Sequence, residues 1–293
     1  MIHALNFSRS ERFRQQNFEY SHCKEDTNLI VQFCGHDPDV ILTAAKYVEY
    51  HENVIAIDLN FGCPQKIASK GNYGAFLLES ENNIMENIVK KLTRHLSIPI
   101  TCKMRLPTKK ALGVDIAKRL ESAGASLLCV HGRNRLENKN NCGQADWKQI
   151  KNIKENVDIP VLANGSMRNL DEIYECINYT NVDGVALGEA LLEFPQLVNN
   201  SKIHNYSGQI DIAREYLEIA ELHETTNWRL HLYKILHAHF NKLNQIFSNN
   251  KGNMLRGKVG KCKTIEDGKN LLNELNILMN DYAYHDAIVE NEM

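Results

Sequence analysis

Asp58, Asn60 and Cys63 stand close together in the stretch Asp58–Leu78, DLNFGCPQKIASKGNYGAFLL. An unbroken apolar run, Val54-Ile55-Ala56-Ile57, precedes it, which is how a strand buried on both faces of a parallel sheet reads. Period-two geometry puts Asp58 and Asn60 on one face of that strand and Leu59 on the other. Cys63 follows just past the strand end, between Gly62 and Pro64, on a loop that can close over a bound molecule. A lone free cysteine is most often a small buried hydrophobe. Its place in a glycine-rich loop, with Gly71 and Gly74 following, favours a chemical role.

Other polar residues recur where apolar runs end. Gln32 closes Leu29–Cys34, and Lys103 and Arg105 share one face of the next run while Cys102 and Met104 take the other. His131 is followed by Gly132 and Arg133, Asn164 by Gly165, and Gly188 by Glu189. Any one of these reads as a satisfied core polar group or a solvated rim charge. Six sets, always at carboxyl ends, describe one site, the place where α/β barrels keep their active residues. Glycine backbone after the last two strands, beside a helix N-terminus, suits a phosphate.

The elements that must carry these residues alternate. Strands are predicted at Leu29–Cys34, Val54–Asn60, Ile98–Met104, Ser126–Val130, Ile159–Ala163 and Asp183–Leu187. Helices are predicted at Pro38–His51, Asn82–Leu96, Ala111–Ala123, Trp147–Asn156 and Leu170–Tyr179, with a short one after the last strand. Strict alternation predicts a parallel α/β fold. A Rossmann sheet is the competitor, but G-x-G-x-x-G after a first strand is absent. Residues 1–28 are polar, with scattered Phe7, Phe13, Phe18 and Tyr20, and show no clear strand.

Beyond about residue 200 the alternation stops. Ile210–His223 reads as a helix with an acidic face of Glu215, Glu218 and Glu221, and Asn227–Phe247 as a second helix with Leu232, Leu236, Phe240, Leu243 and Phe247 on one side. From Thr225 to Ile265 stand Arg229, Lys234, Lys242, Lys251, Arg256, Lys258, Lys261 and Lys263, with none of the chain's 36 acidic residues. Trp228, Tyr233, His231, His237 and His239 are interleaved among them. A charge run is usually a solvated face, but a long acid-free window with aromatics favours a polyanion partner. Domains are therefore set at 1–200 and 201–293.

The chain's 293 residues, 43% hydrophobic and 24% charged, are ordinary for a globular protein with a sizeable core. No apolar run has the length of a membrane span, and MIHALNFSRSERFRQQ lacks the apolar core of a signal peptide. Eight cysteines stand singly without a C-x-x-C pair, which predicts reduced thiols in a cytosolic or nuclear protein and no metal site. A monomer is expected.

The Asn60-x-Gly62-Cys63-Pro64 loop resembles that of the tRNA dihydrouridine synthases, flavoproteins that reduce a uridine ring in tRNA. The continuation Gln65 and Lys70-Gly71-x-Tyr73-Gly74-Ala75-Phe76-Leu77 is most similar to the eukaryotic branch acting at positions 16 and 17. The resemblance runs from Met1 to about Leu278, including Lys261-Cys262-Lys263-Thr264. It implies a (β/α)8 barrel followed by an all-α tRNA-binding domain, with FMN as cofactor and NADPH or NADH as reductant. By resemblance, Gln32, Lys103, His131, Asn164, Gly165 and Gly188 bind FMN, while Asn60 and Arg105 face the uracil. Glu189 stands where most members have an arginine on the phosphate. Cys63 matches the proton donor, and an unperturbed thiol, with a pKa of about 8.5, is protonated and fit for that role near neutral pH. Arg229, Lys234, Lys242, Arg256, Lys258, Lys261 and Lys263 are expected on the tRNA. Rival readings are another FMN-barrel pyrimidine dehydrogenase of the dihydroorotate type, which has no use for the basic module, and a catalytically dead RNA-binding remnant.

Six strand–helix units are two short of a closed barrel. The family's Ala-Pro-Met-type first strand has no counterpart, and Met1-Ile2-His3-Ala4 resembles the segment after its second strand. At roughly 30 residues per unit, about 50–60 residues are then absent at the front. The expectation is that the chain, expressed as it stands, is poorly soluble, colourless and inactive.

Overall fold

Seven parallel strands in sequential order, β1 to β7, form one sheet in the computed structural model, which describes residues 1–19, 27–80, 82–137, 142–199, 206–246 and 250–291. They are β1 Ile2–His3, β2 Leu29–Cys34, β3 Val54–Phe61, β4 Ile100–Arg105, β5 Leu127–His131, β6 Val161–Asn164 and β7 Gly184–Ala186. Each strand pairs only with its chain neighbours among the described residues, so the order never reverses as it does in a Rossmann sheet. The sequence reading of six strands is corrected by β1. Its two residues, which pair with Phe33 and Cys34, are too short to show a periodicity and are held by β2.

Between the strands run α1 Ala4–Arg9, α2 Glu11–Arg14, α3 Pro38–Lys46, α4 Lys66–Lys70, α5 Ile84–His95, α6 Gly113–Ser122, α7 Trp147–Lys154 and α8 Leu170–Thr180. α3 shows how the sequence starts a helix. Asp37 Oδ1 accepts from the backbone N–H groups of Asp39 and Val40 at 2.9 and 3.2 Å, and Pro38 fills the first turn, where no N–H is needed.

Alternation sorts the two faces of the sheet. Ile57, Leu59 and Phe61 of β3, Cys102 and Met104 of β4, and Leu128 and Val130 of β5 are buried on the helix-bearing side, with Ile88, Val89 and Leu92 of α5 and Ile116 and Leu120 of α6. The other face carries Asp58, Asn60, Thr101, Lys103, Arg105 and His131. Val54–Ile57 departs from expectation at one point: Ile55 is 46% exposed, so β3 is not buried on both faces at its amino end.

The chain divides into two compact units, Met1–Met167 with Asp171–Leu187, and Arg168–Leu170 with Gly188–Met293. The division falls at Leu187 rather than near residue 200, because α9 Glu189–Glu193 and the turn Pro195–Asn199 group with the helices that follow. Those are α10 Tyr206–Leu222, α11 Trp228–Ile235, α12 His237–Ile246, α13 Lys251–Lys261 and α14 Ile265–Asn291. Their core comprises Leu217, Leu232, Leu236, Phe240, Leu243, Leu255 and Leu272, all fully buried. The single helix expected over Asn227–Phe247 is two, broken at Leu236, whose N–H still bonds Leu232 O at 3.0 Å. The apolar spacing continues across the break, which hides it from a periodicity reading. Phe247 and Tyr20 lie outside the described residues.

Candidate active site

Strand register lays the polar residues out in rows. Gln32, Asp58 and Thr101 are partners across β2, β3 and β4. Two residues further along, Asn60 partners Lys103, which partners Cys129. A further two along, Arg105, His131 and Asn164 align at the carboxyl ends of β4, β5 and β6. Each step of two keeps the side chains on one face.

The first two rows are tied together. Gln32 Nε2 donates to Asp58 Oδ2 at 2.6 Å, Thr101 Oγ1 donates to Asp58 Oδ1 at 2.7 Å, and Asn60 Nδ2 donates to Gln32 Oε1 at 2.8 Å. Asn60 Oδ1 then accepts the backbone N–H groups of Gly62 and Cys63 at 3.1 and 2.9 Å. Cys63 O in turn accepts from Ala75 N at 3.1 Å. Gly74 holds φ +69°, and a Cβ there would meet Cys63 O at 2.7 Å. Glycine is required at this close approach. Cys63 packs with Phe76 against buried Cys34, Ala68 and Tyr73. Burial pushes the Cys34 thiol up to about 11, and the neighbouring Cys63 adds to the rise. Burial also raises the Asp58 carboxyl, opposed by the hydrogen bonds from Gln32 and Thr101 and by the charge of Lys103.

The rest of the site is cationic. Lys103 Nζ donates to Asn164 Oδ1 at 3.0 Å, and Asn164 Nδ2 donates to Ala186 O at 2.6 Å, which fixes which way that amide faces. Arg105 Nη1 donates to the carbonyls of Asn134 and Glu137 at 2.9 and 3.2 Å, tying the loop after β5 to β4. Arg133 reaches Gly143 O at 2.7 Å and Ser166 Oγ at 3.0 Å. His131 sits in the middle of these charges. Burial, with Arg105, Lys103 and Arg133, drives its pKa down to about 3, so its imidazole is neutral at physiological pH. At Gly165, φ is +105° and a Cβ would meet the His131 ring at 2.9 Å, so glycine lets that ring lie against the end of β6.

The structure thus brings Gln32, Asn60, Cys63, Lys103, Arg105, His131, Asn164 and Gly165 to one face and one end of the sheet. Gly188 and Glu189 belong to the helical unit, where Glu189 lies 3.8 Å from Lys234. Sequence reasoning missed Thr101 and Ser166 as parts of the site. Thr101 reads as an ordinary strand residue, and its only signal is the period of two from Lys103. Among the described residues no group of histidines, cysteines and carboxylates could hold a metal, and no helix is long and apolar enough to cross a membrane.

In the helical unit the expected cations divide. Lys258 Nζ meets both oxygens of Glu274 at 2.7 and 2.8 Å. Arg229 donates to Cys262 O at 2.9 Å. Its guanidinium lies 5.4 Å from the Trp228 ring, and that of Arg256 lies 4.6 Å from Tyr233. Lys258, Lys261 and Lys263 line a hollow of about 450 Å³ together with Asp267, Asn270 and Glu274. The acid-free window therefore does not make an acid-free surface, because α14 returns its carboxylates beside α13.

A sequence profile of dihydrouridine synthase (Dus) matches residues 1–280. The chain belongs to the dihydrouridine synthase family. It is 38% identical over 268 residues to a tRNA-dihydrouridine(16/17) synthase [NAD(P)(+)]-like protein of Rattus norvegicus, covering 91% of this chain and 58% of that one. With the tRNA-dihydrouridine(16/17) synthase [NAD(P)(+)] of Schizosaccharomyces pombe it shares 40% identity over 224 residues, 75% of this chain and 55% of the other. The chain thus spans little more than half the length of these curated relatives. Among solved structures, a mandelate oxidase variant with benzoyl-formic acid aligns at 16% identity and a TM-score of 0.40, over 55% of this chain and 49% of its own. That likeness carries no argument. For this member of the dihydrouridine synthase family, the glycine-flanked cysteine loop and the polar strand ends are the site to be explained.

Proposed function

We propose that this protein is a tRNA-dihydrouridine synthase that reduces uridine at positions 16 and 17, with FMN as cofactor and NADPH or NADH as reductant. The tie of Asn60 to the Cys63 backbone, set beside a row of cations around a neutral imidazole, carries the reading. The strictly sequential parallel order supports a (β/α)8-type barrel as its frame. The names of the 16/17 relatives support the substrate position and the nicotinamide reductant.

The donor set fits a flavin mononucleotide. Lys103, Arg133, Arg105 and neutral His131 offer N–H donors and positive charge suited to a ring rich in oxygen and nitrogen acceptors and to a phosphate. Lys103, His131, Asn164 and Gly165 would hold it, with Gln32 at its pyrimidine edge. Bound there, FMN would supply the hydride for carbon 6 of uracil. Arg105 and Asn60 stabilise the negative charge that develops across carbon 5 and oxygen 4. Cys63 Sγ gives its proton to carbon 5, a role that needs a thiol rather than the thiolate a nucleophile would need. The base must leave its stack to reach the site, which a loop nucleotide of tRNA does at modest cost.

The exposed cations Arg256, Lys261 and Lys263, with Arg229, Lys234 and Lys242, are proposed to grip the RNA backbone, while Lys258, expected there from the sequence, is matched by Glu274 and adds little. The test is incubation of the protein with FMN, NADPH and an unmodified tRNA transcript. Dihydrouridine at positions 16 and 17, lost in Cys63→Ala, is expected. Oxidation of free dihydroorotate, or reduction of a free pyrimidine base, without tRNA turnover would move the assignment to the rival dehydrogenase. A preparation that shifts tRNA in a gel, shows no flavin absorbance and reduces nothing would leave the remnant reading.

A further inference from the structure

We infer that Asp58 is a positioning residue, fixing the Cys63 loop through Gln32 and Asn60. Both ends of the chain of hydrogen bonds have only one chemical sense. The backbone N–H groups of Gly62 and Cys63 can only donate, so Asn60 must turn its carbonyl oxygen to them, at 3.1 and 2.9 Å. Its amide nitrogen therefore faces Gln32 Oε1 at 2.8 Å. That leaves Gln32 Nε2 to face Asp58 Oδ2 at 2.6 Å, where a carboxylate accepts. Read from the other end, the carboxylate requires the same orientation of both amides.

Asp58 is only 7% exposed and Thr101 6%, so the far end of the relay has little water to substitute for a lost partner. Thr101 Oγ1 takes the second carboxylate oxygen at 2.7 Å. The carbonyl side of Cys63 is held independently by Ala75 N. Its N–H side depends on Asn60, and Asn60 depends on Gln32 and Asp58. Without the carboxylate, Gln32 is free to turn its amide, Asn60 loses its fixed acceptor, and the loop loosens on the side that aims the thiol.

The consequence for catalysis rests on the proposed role of Cys63 as proton donor, so the primary readout is one that needs no turnover. The rate of Cys63 alkylation by iodoacetamide is measured residue by residue in the full chain without added FMN, with exposed Cys142 as the internal reference. Asp58→Ala and Gln32→Met are each expected to change the Cys63 rate at least fivefold and to leave Cys142 within twofold. The double variant should do no more than either single one, because both cut the same relay. Asp58→Asn should stay within twofold of the unaltered protein, since its oxygen still accepts from Gln32 while its nitrogen donates to Thr101. With FMN, NADPH and tRNA, Asp58→Ala is expected to lower kcat at least tenfold at unchanged KM. Should Asp58→Ala fail to fold, Gln32→Met alone decides. A Cys63 rate within twofold in Gln32→Met overturns the relay. So does an Asp58→Ala protein in which buried Cys102 and Cys129 become reactive together with Cys63, the signature of lost packing. If alkylation follows the relay but no tRNA is reduced, the relay stands and the proposed activity falls.

Discussion

The two units handle charge in opposite ways. At the strand ends of the sheet unit, three cations are half-buried and each is directed at a named acceptor: Lys103 at Asn164, Arg105 at two carbonyls, Arg133 at Ser166. Burial and these three charges together push the pKa of the neighbouring His131 down to about 3. Along α13 of the helical unit and just past it, the cations stand at the surface: Lys261 and Lys263 are exposed, and Lys258 is neutralised by Glu274. A buried cation acts through position and field, and an exposed one through number. One site is suited to orienting a small planar ring, and the other surface to following a phosphate backbone.

The largest effect that separates these roles is expected at Cys63. Cys63→Ala removes the proposed proton donor and the packing of one sulfur atom, and leaves the hydrogen bonds of the loop, which use backbone atoms, in place. Turnover should fall at least a hundredfold, in the range that general acids contribute. FMN absorbance and tRNA affinity should stay within twofold. Unchanged turnover would return Cys63 to loop packing. Gly74→Ala comes next. Its positive φ costs about 1–2 kcal/mol for an alanine, and the new Cβ collides with Cys63 O and Cβ. A tenfold or greater loss of activity with a lower melting temperature is expected. A variant that melts normally and turns over normally would show that the close approach does not constrain the thiol.

The helical unit should respond more weakly and in a graded way. Replacing Arg256, Lys261 and Lys263 by alanine together is expected to weaken tRNA binding five- to tenfold without releasing FMN. The salt slope of binding should flatten by about 0.7–0.9 for each phosphate that the protein no longer neutralises. Lys258→Ala alone should change affinity less than twofold, because its charge is already matched. Glu274→Gln should do the reverse and tighten binding by freeing that charge. Equal losses from Lys258→Ala and Lys261→Ala in gel-shift titrations would show that the Glu274 pair opens on the RNA.

What the sequence disclosed differs between the units for a physical reason. A strand of period two exposes its register directly, so Lys103 with Arg105, and Asp58 with Asn60, fall on shared faces by spacing alone. The rows they form across strands do not follow from spacing, because register between strands depends on pairing that no single strand encodes. Thr101 enters the site that way, as the partner of Asp58. β1 is invisible to a periodicity reading because two residues carry no period. In the helical unit, charge counted along the chain misses Glu274, which only the return of α14 sets beside Lys258. The break at Leu236 is hidden by side chains that keep their spacing through it.

The smallest effect concerns acid. His131 has a folded pKa of about 3 against an ordinary value of 6.5, so between those limits the unfolded chain binds a proton that the folded chain refuses. Stability therefore falls as pH drops from 6.5 towards 3, with a slope of at most about 1.4 kcal/mol per pH unit. The raised carboxyl of Asp58 works in the opposite sense, since there it is the folded state that takes the proton first. That opposition is confined to the carboxylate range, and in the interval from pH 6.5 to 5 His3, also lowered by burial, acts in the same sense as His131, so the difference from His131→Gln isolates His131. Urea unfolding at those two values should show the unaltered protein losing roughly 1–2 kcal/mol that His131→Gln does not lose. Parallel losses in both proteins would mean that the imidazole does protonate inside the site, and the positive field assigned to Lys103, Arg105 and Arg133 would have to be given up.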